Sequence, residues 1–133
     1  MDDHNTTSER CILAGGDGRA NGQLAEDLAA RFLERRGLTL LARNFRCRGG
    51  ELDLVCRDGA TLVFVEVRLR RNAAFGGAAA SITARKQQRV ILAARHYLAA
   101  HGASLPAERA CRFDCVLLDG ERIDWLRDAF AAA

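Results

Sequence analysis

The stretch that most restricts this chain is residues 49 to 70, "GGELDLVCRDGATLVFVEVRLR". Two runs rich in Val and Leu flank Asp58-Gly59, a dipeptide that favours a two-residue hairpin turn. Such a turn sets Glu51 opposite Glu66 and Asp53 opposite Phe64. Period two then places Glu51, Asp53, Glu66 and Arg68 on one face, with Leu52, Leu54, Val63, Val65 and Val67 on the other. The aliphatic face makes a core. On the polar face, like charges set directly across a sheet repel, so either a cation neutralises the acids or the face meets solvent. Alternation alone is compatible with both. In the first case the carboxylates offer the oxygen ligands that Mg²⁺ or Mn²⁺ prefers, and such an ion can activate a water and stabilise the charge that builds on a phosphodiester.

The flanks supply helices. "GQLAEDLAARFLERR", Gly22 to Arg36, places Leu24, Leu28 and Phe32 at i, i+4 and i+8, which predicts an amphipathic helix stopped at Gly37 with Glu26 at the edge of its apolar stripe. "LTLLARNFRC" is strand-like but broken by Asn44. After a loop-like "RRNAAFGGAAA", Ser81 is placed to cap "ITARKQQRVILAARHYLAAH", which ends at Gly102. In that helix Ile91, Ala94 and Leu98 face the core, and Arg85, Lys86 and Arg89 cluster elsewhere. A strand over 111 to 118, a turn at Asp119-Gly120 and a short strand "RIDWL" follow. The order is α-β-β-β-α-β-β. Residues 1 to 20, polar and Gly-rich, read as a flexible leader, and residues 21 to 133 as one domain.

Composition closes off several classes. The chain is 49% hydrophobic and 28% charged with a single Pro, as in an ordinary globular domain. No run approaches the roughly 18 apolar residues that span a bilayer, and no basic stretch leads into an apolar one at the N-terminus, which predicts a cytoplasmic protein with no membrane partner. The five cysteines are an odd number that fits reduced thiols. Cys111 and Cys115, evenly spaced in "CRFDCVLLD", read as small buried hydrophobes on one strand face with Phe113 rather than as a zinc knuckle. Dinucleotide and P-loop glycine patterns are absent, and His96 and His101 fall late in the second helix, where surface or capping roles are the default. The net charge of +3 hides −2 over residues 1 to 20, and Lys86 is the one lysine among twenty basic residues. Arginine offers planar, bidentate contacts to phosphate, so the excess points toward a polyanion.

The segment "GQLAEDLAARFLERRGLTLLARNFRCRGGELDLVCRDGATLVFVEVRLR", with "ARKQQRVILAARHYL", "RFDCV" and a closing "DAF", resembles the YraN-like family of small bacterial proteins. That family belongs to the restriction-endonuclease-like superfamily and is related in fold to Holliday junction resolvases. The resemblance covers Gly22 to Phe130 and implies an α/β, three-layer fold: a central mixed sheet of about five strands flanked by helices. It implies catalytic roles for Asp53 and Glu66, with Glu26 as the helix acid, Glu51 beside them, and Lys86 on the following helix. Asn44, Gly50 and Phe75-Gly76 match the family's loop residues.

By the same resemblance the metal ligands are Asp53, Glu66, Glu26 and Glu51, the ion Mg²⁺ or Mn²⁺, and the partner nucleic acid, in the first place DNA. Arg46, Arg48, Arg70, Arg85, Lys86 and Arg89 are the candidate phosphate contacts. A homodimer is the assembly that junction-cutting relatives suggest. One position departs from the pattern: Glu-x-Lys is Glu66-Val67-Arg68 here. Arginine stays protonated and offers charge and hydrogen bonds but no base. The expectations are therefore a metal-dependent nuclease using Arg68 and Lys86 on phosphate, or a nucleic-acid-binding or scaffolding protein that keeps the fold without turnover.

Overall fold

The computed structural model describes residues 6–10, 18–69, 82–105, 109–120 and 122–132. In chain order the elements are β1 (Thr6–Arg10), α1 (Gly18–Arg35), β2 (Thr39–Cys47), β3 (Gly50–Asp58), β4 (Thr61–Leu69), α2 (Ala84–His101), a short 3₁₀ turn (Gly102–Ser104), β5 (Ala110–Leu118) and β6 (Arg122–Phe130). They form one mixed sheet of six strands in the order β1-β6-β5-β4-β3-β2. All neighbouring pairs are antiparallel except β4 and β5, which run parallel and are joined through α2. The sheet has one strand more than the expected five. The additional one is Thr6–Arg10, from the stretch read as a leader, which pairs with β6 and is held to the end of α1 by Glu9 on Arg35 (2.7 Å) and Arg36 (2.8 Å). The last strand is also longer than "RIDWL", because Asp114 reaches across to it.

Two apolar layers cover the sheet, one per helix, as expected for three layers around a central sheet. Below α1, Ala25, Ala29, Phe32 and Leu33 pack on Leu54, Cys56, Val63, Val65 and Val116, and Phe32 meets Trp125 edge-on at 6.2 Å. Below α2, Val90, Ile91, Ala94 and Tyr97 pack on Leu52, Val55, Phe64 and Phe113. The buried stripe of α1 runs through Ala25, Ala29, Phe32 and Leu33, with Leu28 only partly buried and Leu24 outside it, so it is centred one residue on from the expected Leu24, Leu28 and Phe32; in α2 Ile91 and Ala94 are buried as expected and Leu98 is partly buried at the rim. Thr83 caps α2 through its hydroxyl on the Lys86 amide at 3.1 Å, while the predicted cap, Ser81, lies outside the described residues.

Asp114 is fully buried and accepts hydrogen bonds from Arg112 Nε (3.0 Å), Trp125 Nε1 (2.9 Å) and the Asp128 amide (2.9 Å). These bonds hold β6 to β5 across a register shift. A buried carboxylate with three donors is satisfied and stabilising, so Asp114 is a framework acid. Of the cysteines, Cys56 and Cys115 are buried, but Cys111 is exposed because it stands at the open end of β5; none of the four described is in a disulfide. Cys11 lies outside the described residues.

The hairpin register differs from expectation by two residues. Asp58 pairs with Thr61, leaving Gly59 and Ala60 as the turn. Gly59 takes the positive φ of 61°, the conformation a two-residue hairpin asks of its first central position and glycine adopts at least cost. Asp58 stays in the strand and ion-pairs with Arg112 at 3.0 Å. Extending this register past Leu54↔Val65 brings Asp53, not Glu51, opposite Glu66.

Candidate active site

The regular pairing of β3 with β4 stops at Leu54↔Val65. Beyond it the amide of Val67 donates to Asp53 Oδ2 at 2.8 Å, so the carboxylate takes the place of the next main-chain acceptor and closes the splayed end of the hairpin. The alternation of β3 breaks at the same point. Leu54 packs under α1 but Leu52 packs under α2, whereas strict period two would put both on one face. Across the β2–β3 pair lies Asn44, whose φ of 52° kinks β2 between Arg43, opposite Leu54, and Phe45, opposite Leu52. Asparagine tolerates this left-handed conformation better than most residues. The kink also gives its amide to Glu26 as a hydrogen-bond partner.

The result is a cleft of about 230 Å³ at the carboxyl end of β4, lined by Gly22, Ala25 and Glu26 of α1, Asp53 of β3, Glu66 to Leu69 of β4, and Lys86 of α2. Five predicted site residues meet here: Asp53, Glu66, Arg68, Glu26 and Lys86. Glu66 is only 2% exposed. Its Oε2 lies 3.2 Å from Lys86 Nζ and 3.8 Å from Arg68 Nη1, while Oε1 has no hydrogen-bond partner. Lys86 therefore leaves the Arg85 and Arg89 cluster expected of it and turns into the cleft. Glu26 sits at the α1 wall, 3.7 Å from Arg43 Nη2, which is itself held by Asp27 at 2.7 Å. Glu51 does not line the cleft; it faces Arg46 at 3.3 Å on the neighbouring strand.

Burial and the Glu66 charge push the Asp53 carboxyl up to about 7, against the pull of the Val67 amide. Burial, reinforced by Asp53, also raises Glu26, and the Asn44 hydrogen bond and Arg43 oppose it. The site thus concentrates negative charge that the protein only partly compensates. While Asp53 keeps its proton the two carboxyls hydrogen-bond each other; once it is lost, two buried carboxylates face one another with a Glu66 oxygen unpartnered, a need that a cation satisfies, and the all-oxygen donor set suits Mg²⁺ or Mn²⁺ rather than a thiophilic ion. Among the described residues no group of three or more His, Cys, Asp or Glu is assembled to hold an ion. An ion here would take Asp53 and Glu66 and complete its shell with water or phosphate oxygens, as Mg²⁺ commonly does.

Sequence reasoning did not anticipate the small α1 residues Gly22 and Ala25, which open the cleft floor, or the Val67 main-chain amide that orients Asp53. Their spacing with Glu26 on one helical face was the available signal for the first two. Arg70 and Phe75-Gly76 lie outside the described residues. Among those described, no helix is long and apolar enough to cross a membrane.

The model of an uncharacterised protein family, UPF0102, matches residues 25–118. A UPF0102 protein of Dechloromonas aromatica (strain RCB) is 58% identical over 121 residues, covering 91% of this chain and 97% of its own. One from Ralstonia nicotianae is 58% identical over 115 residues (84% and 86% coverage), and one from Aeromonas hydrophila subsp. hydrophila 52% over 111 residues (84% and 85%). The matched region contains the cleft acids, Arg68 and Lys86.

Proposed function

The chain belongs to the uncharacterised protein family UPF0102, the family to which its sequence resemblance points, and on that premise we propose that it is a metal-dependent nuclease acting on DNA. The observation that carries this reading is the buried Asp53–Glu66 pair, with one Glu66 oxygen unpartnered, facing two cations across a cleft open to solvent. Asp53 and Glu66 would hold Mg²⁺ or Mn²⁺, which when bound supplies an activated water and charge stabilisation at phosphorus.

The chain's own residues do the rest. The Val67 amide fixes the Asp53 carboxylate in one orientation. Arg68, permanently protonated, binds a non-bridging phosphate oxygen as charge develops on it. Lys86, ion-paired with Glu66 at 3.2 Å, stands at the cleft and would contact the phosphate where Glu66 holds the metal. Glu26, raised by burial, receives or returns a proton at the α1 wall.

The same Lys86–Glu66 ion pair favours a second reading, a nucleic-acid-binding protein without turnover, because it offsets the acid charge with no ion at all. Calorimetry with Mn²⁺ on the intact protein, Asp53→Ala and Glu66→Ala, followed by cleavage assays on branched and linear DNA, separates the two. The nuclease reading expects binding and cleavage by the intact protein alone. Mn²⁺ binding by none of the three, with DNA retention indifferent to EDTA, leaves the second reading.

A further inference from the structure

We propose that duplex nucleic acid reaches this cleft from one side, along an arginine track formed by Arg85 and Arg89 of α2 and Arg48 of the turn between β2 and β3. The proposal rests on the nucleic-acid reading above and assigns the surface that would serve it. Arg85 and Arg89 are exposed and stand at i and i+4, about 6 Å apart on one helical face. Lys86, next to Arg85, marks where the track enters the cleft. The turn is seated on the same stretch of helix: a Cβ on Gly49 would touch Leu92 Cδ2 at 3.2 Å, and one on Gly50 would collide with the main-chain carbonyl of Arg89. Arg48, exposed, precedes Gly49 in that turn.

None of these three arginines has an acidic partner among the described residues. The opposite wall differs, since Arg43 of β2 is taken up by Asp27 and Glu26 of α1. One wall therefore offers uncompensated positive charge and the other offers acids already paired. A polyanion gains on the first and is not drawn to the second. No Phe, Tyr or Trp is exposed among the described residues, so the surface lacks the large aromatic platforms on which successive unpaired bases stack. The partner that fits is the continuous phosphate backbone of a duplex, gripped without base reading.

The test measures binding of the full chain to a blunt duplex in EDTA, over a range of salt, so that metal chemistry does not enter the readout. Arg48→Ala/Arg85→Ala/Arg89→Ala is compared with a control of equal charge change, Arg31→Ala/Arg57→Ala/Arg122→Ala. The track variant is expected to lose affinity by about tenfold or more at moderate salt, and its salt slope to flatten by about 0.9 for each phosphate contact removed; the control is expected to stay within a few-fold of the wild type. Equal losses in both variants overturn the track in favour of diffuse attraction. Tighter binding to a single strand of the same sequence overturns the duplex assignment. A wild type that binds the duplex while the track variant matches it overturns the track and leaves the nucleic-acid reading intact. A wild type that binds no duplex overturns both.

Discussion

Lys86 Nζ lies 3.2 Å from Glu66 Oε2, nearer than Arg68 at 3.8 Å, although Arg68 is two residues from Glu66 in the chain and Lys86 is twenty. The cation closest to the buried acid comes from the helix packed across the sheet. That geometry makes Lys86 the main electrostatic partner of Glu66, with Arg68 the more distant of the two cations that line the cleft.

Removing Lys86 should therefore cost more than removing Arg68. Breaking a buried pair costs about 3–5 kcal/mol; Lys86 is 33% exposed, so solvent screening brings the expectation for Lys86→Met to roughly 1–3 kcal/mol, against less than about 1 for Arg68→Met. Urea melts at pH 8 without added metal check the order. Equal losses, or a larger one for Arg68→Met, contradict it.

The Asp53 carboxyl makes stability depend on pH in the direction opposite to an ordinary salt-bridged acid. Its ordinary value is 3.8 and burial beside Glu66 takes it to about 7. Between those values the folded state retains a proton that the unfolded chain gives up, so this group's contribution falls as pH rises from about 4 through 7, at up to about 1.4 kcal/mol per pH unit. Melting temperature of the metal-free protein should show that decline, Asp53→Asn should lack it, and Mn²⁺ should raise the melting temperature more at pH 8 than at pH 5. Parallel profiles for wild type and Asp53→Asn would contradict the assignment.

Gly50 holds the strand that carries Asp53 against the helix that carries Lys86. A methyl group there meets the Arg89 carbonyl and, at 3.3 Å, the Ala93 side chain, and a helix backbone cannot rotate away as a flexible side chain can. Gly50→Ala is expected to cost about 1–3 kcal/mol, as overpacking does, and to weaken Mn²⁺ binding by separating β3 from α2. Gly22→Ala, in open space on α1, should gain up to about 1 kcal/mol from helix propensity. Thermal melts of both variants, with Mn²⁺ calorimetry on Gly50→Ala, decide the matter; a neutral Gly50→Ala would remove that contact from the account of the site.

Much of this molecule is written in local pattern. The period of 3.6 in residues 22 to 36 and 84 to 101 marks the helix faces that are buried, because that repeat is set by backbone geometry within a few residues; in the hairpin period two sorts side chains between faces but not between core and solvent, since residues 62 to 66 are buried on both faces. The acids of the hairpin and the family membership are legible at the same level. What periodicity does not carry is where neighbouring elements part. The two-residue register shift at Gly59, the kink at Asn44 and the loss of ladder pairing beyond Leu54 put Asp53 across from Glu66 and set Glu51 aside. These depend on how β2 and α2 pack on β3, which no single stretch encodes.

The same distinction holds at longer range. Pairing Thr6–Arg10 with β6 and placing β4 beside β5 join segments far apart in sequence, and the gain comes only when both are present. The sequence by itself determined the layers, the acids and the arginine excess, because each is a property of residues close in the chain. Only the tertiary structure decided that Lys86 pairs with Glu66, that a Glu66 oxygen is left unpartnered, and that Arg43 is taken up by the acids of α1, because those are distances between elements brought together by packing.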